Sequence, residues 1–178
     1  MSVRSGAAEA VSGPAPLRQL VEHYSHGEDV VPTRYAALIG VYAAGVAGFS
    51  LLFHRSGRRL PARIGAGDIA LLGVATFKLS RLIARDKVTS FLRAPFTRYK
   101  GQGPASEVQE EPRGEGLRRG VGELATCPFC MGQWAGTALM GLYLVDAPAA
   151  RTVAALLSAV TVSDALQYAE TALHRTAG

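Results

Sequence analysis

The sequence is short of nearly everything that announces a reaction. It holds two cysteines, one tryptophan and three methionines in 178 residues. Two cysteines make no disulfide framework. Aromatics are only 7% of residues and none stud a basic strand, so a net charge of +5 does not point to nucleic acid. There is no phosphate-binding glycine loop, no H-E-x-x-H and no G-x-S-x-G. Paired carboxylates in an apolar setting are also missing; Glu107, Glu110 and Glu111 read as a solvated run. No repeat of solenoid period occurs. The first apolar block begins only at Tyr35, too late for the core of a secretory signal.

What the sequence has instead is apolar length, gathered in blocks. Residues 35–53 contain no charge. At about 1.5 Å per residue they reach roughly 28 Å, close to the hydrocarbon thickness of a bilayer. Arg34 and the His54-Arg55 pair suit snorkelling ends. Gly40, Ala44 and Gly48 recur every fourth residue, a small-residue stripe on which a second helix can close. Residues 67–84 form a second apolar block with Lys78 and Arg81 in its last turns, which either spans or is re-entrant. Residues 128–145 are uncharged again, and 152–169 complete a fourth block after the turn at Asp146 and Pro148. The fold class expected is all-α: an integral membrane bundle of about four transmembrane helices, or three plus a re-entrant one. Residues 1–33 read as a polar arm, and 34–175 as a membrane domain interrupted by the loop 85–126.

Within that loop, 86–100 alternates Val88, Phe91, Leu92 and Phe96 with Lys87, Arg93, Arg98 and Lys100, the pattern of a segment lying among anionic headgroups. Residues 101–120 mix Gly, Pro and both charge signs, and read as flexible. With both termini cytoplasmic, twelve Lys and Arg lie inside and five outside, so charge favours N-in, C-in in a bacterial cytoplasmic membrane. That register places Lys78 and Arg81 at the depth of Asp164. An ion pair between Asp164 and one of them is expected, because an unpaired charge there costs several kcal/mol.

The two cysteines fall together in CPFCMGQWAG. Thr126 or Cys127 can cap the helix and Pro128 suits its first turn. Three readings follow. Cys127 and Cys130 at a helix start have the geometry of a dithiol redox pair, although the strand that should precede one is lacking. They are also half of a tetrahedral zinc site, to be completed by a second copy of the chain or by histidines, of which His23 and His26 are the internal pair to name. The structural reading has small thiols packing where helices cross, with Gly132 and Gly136 bringing a neighbour close and Trp134 as interface anchor. No cofactor is expected on that third reading, and a homo-oligomer would complete the packing.

Two stretches together, FKLSRLIARDKVTSFLRAPF and GELATCPFCMGQWAG, resemble the bacterial domain-of-unknown-function family numbered 1360. The likeness runs from about residue 35 to 170. It rests on Arg81 and Asp86, on Arg93-Ala94-Pro95-Phe96, and on the cysteines with Gly132 and Trp134 behind them. It implies a small helical integral membrane protein, in some members associated with sporulation, and no established activity. The resulting expectation is a structural or interaction component of the membrane in which Lys78, Arg81, Asp86, Arg93 and Asp164 form a polar network. The alternative is a membrane-tethered dithiol or metal site.

Overall fold

The computed structural model of the chain describes residues 32–177 together with Gln19 and His23. The expected polar arm and the His23–His26 pair therefore lie almost wholly outside the described residues. Those residues form α1 (Pro32–Arg55), α2 (Ala66–Ala84), α3 (Ser90–Arg93), β1 (Thr97–Gln102), β2 (Val108–Pro112), α4 (Gly116–Thr126), α5 (Pro128–Val145) and α6 (Ala147–Ala177).

Each long helix is an apolar block that satisfies its backbone internally and stops at a recognisable signal. α1 ends just before Gly57, whose φ of +71° is the left-handed turn that terminates helices. α5 begins at Cys127, which caps it, with Pro128 in the first position. Asp146 alone separates α5 from α6, and its carboxylate accepts the Ala149 N–H at 2.9 Å to start the next helix.

α2 is the centre of the packing. It is one unbroken helix against which α5 and α6 both lie, and Leu72, Ala75, Leu139, Tyr143, Ala150 and Ala154 make the core between them. Ala75, Ala150 and Ala154 are fully buried, so small residues let the three backbones approach. Side-chain pairs give the directions. Asp68 meets Tyr143 while Thr76 meets Gly136, so α2 and α5 are antiparallel. Asp68 also meets Arg151 while Lys78 meets Asp164, so α2 and α6 are parallel. α1 lies beside α5 in the same direction, through Tyr42 with Thr137 and Phe49 against Gly141. One end of the bundle thus carries the 56–65 link and Asp146. The other carries residues 85–126, the start of α1 and the end of α6.

Two of these helices, over Arg34–Arg55 and Ala147–Thr176, are long and apolar enough to cross a membrane. Almost none of either apolar stretch is buried inside the chain. α2 and α5 do not meet the same measure. α2 carries Asp68, Lys78 and Arg81, and α5 contains Gln133 among its glycines.

The all-α expectation needs one correction. Residues 97–112, expected as juxtamembrane segment and flexible loop, form an antiparallel hairpin. Its register sets Arg98 opposite Glu111 and Tyr99 opposite Glu110, with a bulge between Tyr99 and Gly101. Opposite charges across the strands, not alternating apolar residues, select that pairing. The hairpin is pinned to the end of α2 by Val108 N–H to Arg85 O (2.9 Å) and Lys87 N–H to Ser106 O (3.0 Å). α4 then closes over it at Gly122, where a Cβ would stand 2.5 Å from Phe96 O.

Candidate functional site

The chemically capable side chains gather at the hairpin end of the bundle, in three groups. The first is built around Arg93, which is 1% exposed. Its Nε donates to Glu110 (2.5 Å), one terminal nitrogen to Thr89 Oγ1 (2.8 Å) and to Ile83 O, and the other to Asp86 O (2.9 Å). Helix ends leave carbonyls without partners, and this guanidinium supplies donors to two of those at the foot of α2. Glu110 is nearly as buried, so the pair is charge-balanced inside the polar layer. Arg93 was expected among headgroups; it is inside the protein instead. Asp86 joins the same network through its backbone, while its carboxylate accepts the Val88 N–H at 3.1 Å.

The second group lines a cleft of about 980 Å³ between α2, the hairpin turn and the last turns of α6. Lys78 Nζ donates to Asp164 Oδ2 at 2.6 Å, so Asp164 takes Lys78 and not Arg81 as its partner. Arg81 turns outward, pairs with Glu107 from the hairpin, and lies over the Phe77 ring at 5.7 Å. The two ion pairs set three elements against one another. At the opposite end a similar clamp, absent from the sequence reading, holds Asp68 between Arg151 (2.7 Å to each oxygen) and Tyr143 (2.7 Å). The signal for it was an acidic residue in the first turn of one helix and a basic residue at the head of another.

The third group is the cysteine pair. The sulfurs of Cys127 and Cys130 lie at disulfide distance, with Cα atoms 5.3 Å apart. Cys127 Sγ also accepts the Cys130 N–H at 3.2 Å, which makes it the helix cap. The pair does not pack at a helix crossing, as the structural reading had it: Cys130 is exposed, and Phe129 between them is 95% exposed. Among the described residues, no third histidine, cysteine or carboxylate joins them in a metal-sized cluster.

The glycines divide. Gly136 does serve a close contact, with a Cβ there falling 3.3 Å from Thr76 Cγ2, whereas Gly132 meets nothing within 4 Å. Gly40, Ala44 and Gly48 all lie exposed along α1. Trp134 rests edge-on against Tyr42, ring centroids 5.2 Å apart. In the polar layer, Glu111 has its carboxyl held below the ordinary value, chiefly by the hydrogen bond from Lys100 and then by that residue's charge.

Residues 71–170 match a family described as a protein of unknown function (DUF1360). The sporulation protein YjcA of Bacillus subtilis (strain 168) is 33% identical over 93 residues, which covers 51% of this chain and 79% of that protein. No solved structure matches.

Proposed function

The chain belongs to the DUF1360 family, and from that membership we propose that it is a multi-pass component of a bacterial cytoplasmic membrane. In this role it presents residues 85–126 as a folded cytoplasmic platform. The observation that carries the reading is the outward face of α1 and α6. Ile39, Val41, Leu51, Leu52, Leu156, Val162 and Leu166 are exposed on helices of membrane length. Water is a poor solvent for such a surface and lipid a good one.

The alternating directions of the helices support four spans. α2 and α5 cross inside the bundle, where the charges of α2 find partners on α6 and the hairpin. The excess of Lys and Arg at the hairpin end orients that end, with both termini, toward the cytoplasm. Val88, Phe91 and Leu92 are exposed beside Lys87, an arrangement suited to anionic headgroups. The bare Gly40–Ala44–Gly48 face of α1 is where a second copy would close. The sporulation association named for the relative is the physiological setting in which to look first.

Single cysteines at Ser56 and Ser106, in a chain with Cys127 and Cys130 changed to serine, test the arrangement. In intact cells an impermeant maleimide should label Ser56→Cys, and it should reach Ser106→Cys only after the membrane is opened. Labelling of both from one side, or the reverse order, would sink the four-span reading.

A further inference from the structure

We propose that Cys127 and Cys130 form a thiol–disulfide exchange site whose substrate is a dithiol protein. This goes beyond the membrane reading and does not depend on it. Three features of the site converge. Cys130 is exposed, so an incoming thiolate can reach its sulfur. Cys127 is the cap: its sulfur accepts the Cys130 N–H at 3.2 Å, at the positive end of α5. A sulfur so placed is stabilised as thiolate and is therefore the better leaving group. Between them stands Phe129, the most exposed of the large apolar side chains described. An aromatic ring held out beside a reactive sulfur, 95% exposed among the described residues, is suited to the apolar rim of a protein that must dock before it exchanges.

The step balances as follows. A partner thiolate attacks Cys130 Sγ; the new S–S bond forms as the Cys127–Cys130 bond breaks, and the electron pair leaves on Cys127 Sγ, where the helix N–H receives it. The partner's second thiol loses its proton to solvent and attacks the mixed disulfide, releasing Cys130 as thiolate. Two electrons pass from the partner's dithiol to this pair, and the partner leaves as its disulfide. The reverse sequence, starting from the dithiol form of this pair, reduces a partner's disulfide. In the orientation proposed above the pair faces the cytoplasm, where a disulfide is a turnover state and not a staple.

The test uses the full chain in detergent micelles, acid-quenched and tagged with a mass-shifting maleimide, with reduced thioredoxin or dithiothreitol as reductant. Thioredoxin should reduce the pair at least about tenfold faster than an equal concentration of dithiothreitol. Phe129→Ala should slow thioredoxin several-fold and leave dithiothreitol unchanged. Serine also caps helices, so Cys127→Ser keeps the start of α5. In that variant Cys130 should capture a thioredoxin lacking its resolving cysteine and activated with thionitrobenzoate. Cys130→Ser should capture about tenfold less. Any one of four results overturns the proposal: a pair reduced only after denaturation, equal rates with the two reductants, no effect of Phe129→Ala, or capture at Cys127 as fast as at Cys130. None of them bears on topology, which the Ser56 and Ser106 labels report separately.

Discussion

α1 and α2 make an instructive pair. By composition α1 is the better membrane helix, with no charge between Arg34 and His54. α2 carries Asp68, Lys78 and Arg81. Yet α1 leaves most of its surface bare, while α2 is the helix on which α5 and α6 both rest. Apolar purity therefore reports what a helix shows to its surroundings. Charge placement reports what it holds inside the bundle, since each charge of α2 is met by a side chain of another element. If that contrast is right, substitutions on the two helices should differ sharply in cost.

The largest effect is expected at the foot of α2. Arg93→Ala removes the donors to Ile83 O and Asp86 O and strands Glu110, at a cost of about 3–5 kcal/mol. Loss of the polar layer should register as protease cutting in 97–112 and a lower Tm. Next comes Lys78→Ala, at roughly 2 kcal/mol, because Lys78 is mostly buried but Asp164 is partly solvated. Adding Asp164→Asn to it should restore part of the loss, since the stranded charge goes too. A double variant as damaged as the two singles combined would show that the pair is no unit. Gly136→Leu should cost about 1–2 kcal/mol by pushing α5 off Thr76.

On α1 the same kind of substitution should be nearly silent. A Cβ at Gly40 or Gly48 meets no atom within 4 Å, so Gly40→Leu and Gly48→Leu should hold stability in detergent to within about 0.5 kcal/mol of wild type. Only the oligomeric mass should fall, if a second copy uses that face. A large Tm loss there would break the contrast outright.

The smallest effect is a pH effect in the hairpin. Glu111 has a lowered pKa in the folded chain, so its contribution is present above its unfolded value and fades as pH falls through the folded one. Lys100→Ala should remove that contribution at neutral pH and leave acid-side behaviour equal to wild type. Carboxyl NMR of Glu111 would show its pKa return upward.

The sequence was legible where a single periodicity or depth argument decides. The four long helices follow from apolar blocks, two of them free of charge. Cys127 as cap with Pro128 behind it follows from helix-start chemistry. An ion pair of Asp164 with Lys78 or Arg81 follows from charges counted inward from the same end, and the fold selects Lys78. The hairpin was not legible, because TRYKGQ and VQEEP carry no apolar alternation and their pairing lives in cross-strand charges. Gly and Pro in that region mark tight turns, at Gly103–Pro104 and Gly114, and not looseness. Arg93 was misplaced for a related reason. A sequence shows that a cation is near a helix end, but not which carbonyls the fold leaves for it to find.

One residue joining α5 to α6 has a consequence for how the chain is made. With Asp146 as the whole connection, neither helix can enter a bilayer alone without leaving its neighbour stretched in water. On the four-span reading they go in together, as a hairpin, and the insertion machinery must carry only Asp146 and Arg151 to the far side. The Asp68 clamp waiting on α2 then takes up Arg151 as it arrives, so the last pair of helices is latched at the far face by a partner synthesised some eighty residues earlier.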